Sequence, residues 1–456
     1  MKILMTGATG LIGKELGIEL TKQGHQVLLI SRDRQKAEHQ APFPCQVIEG
    51  DLSSGPIQDS RLSQVEVVIH LLGESVAEKR WSKAQKNKIL DSRVKSTQHL
   101  IASLTQAPKA FLSASAVGFY GDRKEEELAE DSAPGRDFLA GVCVAWENAV
   151  DQIHAKFQNT RIVKMRIGLV LSAQGGALEK MLPPFQAGFG GALGNGRQWM
   201  SWIHIQDLVS LFMHALNNAS MSGAVNAVAP KPEINRDFSK LLAQSVRRWL
   251  GPSIPGPALK ILFGEMAQVL LASQKALPQK ALQSGFVFQF PDLSAAFKNI
   301  LAAQRQGEEF FVTKQYLPQP PEEVFRFFSR AENLESITPD ILNFKVIGMT
   351  TEKIQKDTLI DYKLKIRGIP AHWRTKIETW NPPHDFVDTS LKGPYRLWHH
   401  THTFEKLGPG TLMTDRVRYV LPLGYMGWLA AVSLVKSDVK AIFDFRRQVT
   451  AKIFTT

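Results

Sequence analysis

The chain has 456 residues, too many for one ordinary hydrophobic core, so two or three domains are expected. Its formal charge of +12 is spread along the chain instead of forming a basic tail, which predicts no nucleic-acid partner. Two cysteines, Cys45 and Cys143, exclude a disulfide framework. Because Met1 leads directly into a strand and the apolar run 428–435 is shorter than the ~20 residues of a membrane span, we expect a cytoplasmic protein without transmembrane segments.

The first element is a strand, a glycine-rich turn and a helix. Lys2–Met5 predict a buried strand, and Leu11–Gln23 predict an amphipathic helix. Between them Gly7, Gly10 and Gly13 recur at three-residue spacing. Such glycines let the backbone turn tightly and approach a diphosphate, while the helix N-terminus supplies free N–H donors. The pattern predicts a dinucleotide site.

The second strand, Val27–Ile30, should end beside the adenosine ribose of that dinucleotide. Here Ser31 and Arg32 stand where an acidic residue would bind the 2′-hydroxyl of NAD. A hydroxyl and a guanidinium suit a 2′-phosphate, so the sequence predicts NADP. Asp33 lies next to them and leaves NAD open as the alternative.

Four more apolar segments predict parallel strands, and helical segments separate most of them. They are 47–52, 65–72, 111–114 and 161–171, with a helix over 83–105. The backbone of Leu71, Leu72 and Gly73 should line the cofactor cleft at the end of the fourth strand. The alternation predicts an α/β fold, a doubly wound parallel sheet of the Rossmann type.

The stretch Gly175–Arg197 is rich in glycine and contains two prolines, so it predicts a long loop with substrate contacts. Trp199 and Trp202 follow, and we expect them to pack. His204 and Asp207 should fix the loop. A strand at 225–228, a helix at 235–250, an apolar helix at 259–272 and a strand or turn at 285–290 complete this part.

Beyond a polar linker at 302–309 the pattern changes to strands in succession, which predicts an antiparallel sheet. The predicted strands are 310–316, 343–349, 357–366, 371–380, 385–391, 397–406 and 411–421, with a short helix at 321–328. A long final helix carries one apolar face from Val432 to Ile453. A curved sheet against this helix predicts an apolar cavity between them.

Residues 1–300 resemble the extended short-chain dehydrogenase/reductases, in particular their atypical epimerase family with its small C-terminal domain of unknown function. The matching motifs are Thr6–Gly13, Ser31–Arg32, Leu72–Ser75, Lys79–Trp81, Ser92–Arg93, Ser113–Gly121, Trp146–Glu147, Gly194–His204 and Leu277–Pro278. The resemblance implies an NADP-type cofactor and a small substrate subdomain. With the cleft residues named above, the predicted cofactor contacts are Gly7, Thr9, Gly10, Leu11, Ile12, Gly13, Ser31, Arg32, Leu71, Leu72, Gly73, Arg93 and Val170.

Residues 310–456 look like a START-like (SRPBCC) ligand-binding domain, an α+β helix-grip fold. The resemblance rests on Gly393–Phe404, Gly410–Asp415 and Phe443–Arg446. It implies an apolar or lipid-like ligand. We therefore expect three domains: a Rossmann domain at 1–230, a small domain at 231–303 and the START-like domain at 309–456.

The acid/base pair of the dehydrogenase superfamily, a Tyr and a Lys four residues later, is missing from the helix that begins at Phe138. Ser115 occupies the place of the serine that orients a substrate oxygen. We take Ser115 and Tyr120 as candidate catalytic residues, with Glu74 and Lys79 as other possible proton donors. Two hypotheses follow. In the first, the protein is an NADP-dependent reductase or epimerase acting on a small carbonyl or sugar-like substrate. In the second, it is a binding or sensor protein that uses NADP(H) without catalysis.

His400 and His402 share one face of a predicted strand, since alternate residues point the same way. No cysteine or carboxylate is arranged near them in the sequence, so we predict no metal and interpret the pair as a polar strand face beside the cavity mouth. Extended members of the superfamily often pair through helices, which makes a homodimer a further expectation.

Overall fold

The computed structural model describes residues 1–302, 308–422 and 424–455, except for the side chains of 424–426, 428–430 and 455. The chain divides into two compact units, Met1–Ala37 with Cys45–Ala302, and Glu38–Pro44 with Ala303–Thr456. Most of the predicted linker, residues 303–307, lies outside the described residues. The predicted boundary at residue 230 stays a prediction.

The central sheet of the N-terminal unit has seven parallel strands in the order β12-β7-β5-β4-β1-β2-β3. The strands of this part of the chain are β1 Lys2–Thr6, β2 Gln26–Ser31, β3 Cys45–Glu49, β4 Val67–His70, β5 Ala110–Ala116, β6 Glu127–Leu128, β7 Arg161–Ile167, β8 Leu169–Leu171, β9 Gly191–Leu193, β10 Trp199–Met200, β11 Trp202–His204, β12 Gly223–Ala227, β13 Glu233–Ile234, β14 Gly251–Ile254 and β15 Lys275–Ala276. The strand order reverses beside β1, and ligands of such sheets bind at the carboxyl ends of the strands at this point.

Helices surround this sheet, and the predicted doubly wound fold is confirmed. They are α1 Leu11–Lys22, α2 Arg34–Gln40, α3 Lys83–Ser103, α4 Phe138–Asp151, α5 Ile153–Lys156, α6 Gly176–Gln186, α7 Ile205–Asn217, α8 Asn235–Ser245, α9 Gly256–Phe263, α10 Ala267–Leu271, α11 Gln279–Gln283 and α12 Leu293–Leu301, with 3₁₀ turns at Ser60–Gln64, Val117–Tyr120 and Gly264–Met266. One core cluster joins β1, β2, β4 and β5 to α3 and α4 through buried side chains such as Leu4, Val68, Phe111 and Trp146.

Two sequence expectations for this unit are wrong. The predicted loop 175–197 contains α6, which keeps Leu178, Leu182 and Phe185 on one buried face although Pro183 and Pro184 lie inside it. Burial of these apolar side chains outweighs the backbone hydrogen bonds that the prolines remove. The predicted helix 259–272 is interrupted by a 3₁₀ turn at Gly264–Met266.

The C-terminal unit is an antiparallel seven-stranded sheet in the order β16-β22-β21-β20-β19-β18-β17 with a long final helix, which confirms the α+β helix-grip prediction. Its elements are β16 Glu308–Leu317, α13 Pro321–Phe328, α14 Ala331–Ser336, a 3₁₀ turn at Asp340–Leu342, β17 Lys345–Met349, β18 Leu359–Ile366, β19 Ile369–Asn381, β20 Asp385–Lys392, β21 Leu397–Leu407, β22 Gly410–Val420 and α15 Gly424–Thr455. Val439 and Phe443 of α15 pack on Val417 and Tyr419 of the sheet. Among the described helices, none combines the length and apolar character needed to cross a bilayer.

Candidate functional site

The glycine turn between β1 and α1 lies against the backbone that follows β4. Gly7 adopts a left-handed φ of +69°, and a Cβ built on it would stand 2.7 Å from the carbonyl carbon of Leu71. A side chain at this position would be strained and would collide with backbone. Gly7 therefore permits the close approach of the turn to Leu71 and Leu72.

Gly13 allows close packing between the start of α1 and the glycine turn. A Cβ on Gly13 would lie 2.5 Å from the Gly7 carbonyl oxygen and 2.6 Å from the Ala8 Cα. The absence of that Cβ lets α1 start directly against the turn. Gly10 is the N-cap and no side chain caps the helix, so the N-terminal N–H groups of α1 are available to an anion. This arrangement has the form of the helix N-termini that bind phosphate groups.

Arg93 of α3 lies beside the same backbone. Its guanidinium donates to the carbonyl oxygens of Glu74 and Ile89, each at 3.0 Å, and stacks over the Trp146 ring at 5.2 Å. A Cβ on Gly73 would approach the Arg93 guanidinium to 3.1 Å. Burial lowers the pKa of Arg93. The cation is thus fixed at the end of β4, next to the glycine turn.

The end of β2 forms a tight polar turn. The Asp33 N–H donates to the Ser31 Oγ at 3.3 Å, and the Asp33 carboxylate accepts from the Lys36 N–H at 2.9 Å. Asp33 is therefore engaged in the first turn of α2. Arg32 is exposed. Hydrogen bonds from Ser53 lower the pKa of Asp51, and the charge of Arg32 adds a smaller contribution in the same direction.

The segment after β8 also lies against the start of α1. The Leu11 side chain packs against Gly175 and Gly176, at 3.6 Å and 3.3 Å from the positions a Cβ would take there. A Cβ on Gly176 would lie 3.7 Å from the Val170 carbonyl oxygen. The structure therefore brings together the glycine turn with its half-buried Thr9 and Ile12, the Leu71–Gly73 backbone, Arg93 and the Val170 end of β8.

Ser115 belongs to a buried polar network. Its Oγ donates to Glu147 Oε1 at 2.7 Å, and Arg166 donates to both oxygens of that carboxylate at 2.9 Å. Ser115, Glu147 and Arg166 are all buried. These side chains satisfy each other's hydrogen bonds, and the network fixes the relative positions of β5, α4 and β7.

Tyr120 completes the same network from the other side. Its hydroxyl lies 2.6 Å from Asn226 Oδ1 and accepts from Arg166 at 3.0 Å. The side chain is 0% exposed, and burial raises the pKa of its hydroxyl. Both hydroxyls, those of Tyr120 and Ser115, have hydrogen-bond partners within the protein. Their proton-transfer roles stay predictions.

The helix that should carry the Tyr and Lys pair is α4, which presents Leu139 and Cys143 towards the turn at Gly118. Burial raises the pKa of the Cys143 thiol to about 12, so the thiol is protonated at neutral pH. Of the other candidate donors, Glu74 is half-buried and accepts from Gln85 at 3.3 Å, whereas Lys79 is exposed.

One buried residue of this region was missed by the sequence reasoning. His70, the last residue of β4, lies between the hydroxyls of Thr6 at 2.7 Å and Thr97 at 3.0 Å. Burial lowers the pKa of His70 to about 3. A neutral imidazole here ties β1, β4 and α3 together below the cleft. A single histidine within an apolar strand gave no signal of this role.

Two residues that follow the predicted substrate loop have the structural roles expected of them. Trp202 is fully buried and donates to the Lys231 carbonyl oxygen at 3.0 Å, which confirms its packing role. Asp207 accepts from the N–H groups of Gln289 and Phe290 at 2.8 Å and 3.0 Å, so it fixes a loop as predicted.

In the C-terminal unit, the sheet face towards α15 carries a charged cluster among aromatic rings. Asp388, His400, His402 and Asp415 lie on the adjacent strands β20, β21 and β22, and Arg446 reaches them from α15. Both histidines are 4% exposed. His400 and His402 share one polar face of β21 as predicted, and this face is buried. The position beside a cavity mouth stays a prediction.

Three family models match successive parts of the chain. The model described as NAD dependent epimerase/dehydratase family matches residues 3–227. A domain of unknown function (DUF1731) matches residues 254–300. The model described as polyketide cyclase / dehydrase and lipid transport matches residues 317–442.

Individual relatives match the N-terminal two thirds. Epimerase family protein YfhF of Bacillus subtilis is 37% identical over 311 residues, which cover 67% of this chain and 99% of that protein. The crystal structure of human epimerase family protein SDR39U1 (isoform2) with NADPH has 32% identity and a TM-score of 0.59, covering 66% of this chain and 99% of that chain. The nucleoside-diphosphate sugar epimerase from Corynebacterium glutamicum has 33% identity and a TM-score of 0.54, covering 67% and 59% of the two chains.

Proposed function

Because this chain belongs to the NAD dependent epimerase/dehydratase family, we propose that its N-terminal unit binds NADP(H) and exchanges hydride with a small carbonyl or sugar-like substrate. One observation carries the nucleotide part: Gly7 and Gly13 leave a cradle that any Cβ would fill, directly at the uncapped N-terminus of α1. The NADPH in the crystal structure of the human relative supports the same assignment.

The 2′-phosphate is assigned to the Ser31–Arg32 turn. Asp33, the residue that could favour NAD, already accepts the N–H of Lys36 in α2. Arg32 is exposed at the end of β2 and offers a planar guanidinium to a phosphate. The glycine turn, Leu71–Gly73 and the Val170 strand end would hold the cofactor, whose nicotinamide would supply or accept the hydride.

The nucleotide preference is tested with the double variant Ser31→Ala/Arg32→Ala. Loss of charge-assisted hydrogen bonds of about 1.5–3 kcal/mol should weaken NADPH binding about 10- to 100-fold and leave NADH affinity nearly unchanged. Binding is followed by nicotinamide fluorescence. Lys22→Ala is the control, because it removes a cation at the far end of α1, ~17 Å from the turn. Equal losses for both nucleotides would contradict the 2′-phosphate assignment.

A second candidate is a binding protein that holds NADP(H) without turnover. The observation in its favour is the site next to the cofactor cleft: α4 offers Leu139 and Cys143 in place of an acid/base pair, and the hydroxyls of Ser115 and Tyr120 have buried partners. Carbonyl compounds screened against bound NADPH separate the two. Loss of nicotinamide absorbance that Ser115→Ala or Glu74→Gln slows supports the enzyme. NADPH binding without any turnover supports the binding protein.

For the C-terminal unit, which has the START-like helix-grip fold, we propose a small ligand between the sheet and α15. Rings of Trp373, Trp398 and Tyr395 form one aromatic group in this unit, which suits an apolar or lipid-like molecule. The charged cluster around Asp415 would meet a polar end of that ligand. The cytoplasmic location and the homodimer stay predictions.

A further inference from the structure

The charged cluster of the C-terminal unit has the arrangement of a metal centre. We propose that Asp388, His400 and His402 bind one divalent first-row transition metal ion, with Zn²⁺ or Fe²⁺ as the class of ion, and that Asp415 orients His400. The proposal concerns the C-terminal unit alone and does not depend on the nucleotide site.

The three ligand atoms converge from two neighbouring strands. Asp388 of β20 pairs directly with His400 of β21, and His402 follows on the same face of β21. Asp388 Oδ2 lies 3.1 Å from His402 Nε2 and 3.6 Å from His400 Nδ1. One ligand atom of each residue lies within 4.8 Å of the others. Ligands 2.0–2.2 Å from a tetrahedral zinc ion are about 3.4 Å apart, so the spacing suits a metal without large movement.

The opposite nitrogen of each ring faces a second carboxylate. Asp415 Oδ1 lies 2.9 Å from His400 Nε2 and 2.8 Å from His402 Nδ1. A histidine that binds a metal through one nitrogen usually donates its other N–H to a carboxylate, which fixes the tautomer and the ring orientation. Here Asp415 is hydrogen-bonded to His400 and stands at ion-pair distance from His402 Nδ1, which has no hydrogen-bond partner among the described residues. Arg446 Nη1 stands 3.8 Å from the same oxygen.

If both histidines are neutral and no cation is bound, two groups of this cluster repel each other. If Nε2–H of His400 donates to Asp415, the lone pair on its Nδ1 faces the Asp388 carboxylate, and two acceptors oppose each other. A cation between them removes this repulsion.

Aromatic neighbours hold the rings of His400 and His402 in place. Phe386 stacks on His402 with ring centroids 4.1 Å apart, and Phe443 of α15 meets His400 at 5.4 Å. Among the described residues three protein ligands converge, so at least one coordination position is left for water or a ligand, as in catalytic zinc and facial-triad iron sites.

Cobalt titration of the tag-free full-length chain, stripped with a chelator, tests the proposal. We expect visible d–d absorption that saturates at one Co²⁺ per chain and disappears on adding Zn²⁺. Asp388→Asn and His402→Gln should abolish the bands, and Asp415→Asn should weaken binding about 10- to 100-fold. His399→Ala is the control: it changes the neighbouring histidine on the opposite face of β21 and should bind as the parent does.

Two results would overturn the proposal. One is a parent chain that gives no saturable d–d bands, which leaves the cluster as a proton-linked ion-pair network. The other is bands that persist in Asp388→Asn and His402→Gln, which would place the metal at surface histidines. Variants that fail to fold are recognised by circular dichroism. The parent alone then decides through the position and intensity of its d–d bands, because the weak bands of an all-oxygen octahedral Co²⁺ site would contradict ligation by His400 and His402.

Discussion

Replacing Gly13 by alanine tests the packing of the glycine turn. Its backbone is helical, so the change carries no conformational strain, and propensity alone would favour alanine by about 0.5–1 kcal/mol. The added Cβ would however lie 2.5 Å from the Gly7 carbonyl oxygen and 2.6 Å from the Ala8 Cα. Both are backbone atoms that move only with the whole turn. Such overpacking costs about 1–3 kcal/mol, so we expect a net loss of about 1–2 kcal/mol in unfolding free energy.

The same displacement should reduce nucleotide affinity, because the N–H groups of α1 are aimed from this turn. We expect NADPH to bind at least about tenfold more weakly to Gly13→Ala, an effect of about 1.4 kcal/mol. Urea unfolding and fluorescence titration measure the two effects. Gly141→Ala in α4 is the matched control, since its Cβ would meet nothing within 4 Å and should stabilise the fold. A Gly13→Ala chain as stable as Gly141→Ala and with parental NADPH affinity would contradict overpacking at the glycine turn.

Two further predictions concern buried charge and protonation. Glu147→Gln should lower the unfolding free energy by about 3 kcal/mol in urea titrations, because it leaves the Arg166 guanidinium buried without its counter-charge. The control Asp151→Asn, at an exposed ion pair, should cost less than about 1 kcal/mol. Similar losses for both variants would contradict a buried pair. The pKa of His70 falls from 6.5 to about 3 on folding, so the unfolded chain binds more protons below pH 6.5 and stability should drop as the pH falls from there towards 3. This residue contributes up to about 1.4 kcal/mol per pH unit, and His70→Gln should flatten the urea-derived pH dependence by that amount; an unchanged slope would show that His70 titrates normally.

Local patterns were sufficient for most of the fold. The strand, glycine turn and helix at Lys2–Lys22 are local in sequence, and the structure has them within one or two residues of the predicted bounds. The strands from residue 308 onward followed from alternation and turn residues in the same way. By contrast, the helix over Gly176–Gln186 was missed, because its prolines predict a break and only tertiary burial of Leu178, Leu182 and Phe185 reveals it.

The candidate sites were harder to predict, since their partners are distant in the chain. Nothing near Ser115 in the sequence indicated that its hydroxyl donates to Glu147. In the same way, His400 and His402 suggested no metal until strand pairing placed Asp388 and Asp415 on either side of them. Registers of neighbouring strands decide such contacts, and a single sequence does not contain them.

We infer that the turn between β1 and α1 binds an NADP(H) diphosphate. Calorimetric titration of the tag-free full-length chain with NADPH and with NADH measures this binding. We expect saturable binding of one NADPH per chain, tighter than that of NADH. A chain that gives no saturable heat with either nucleotide would contradict it.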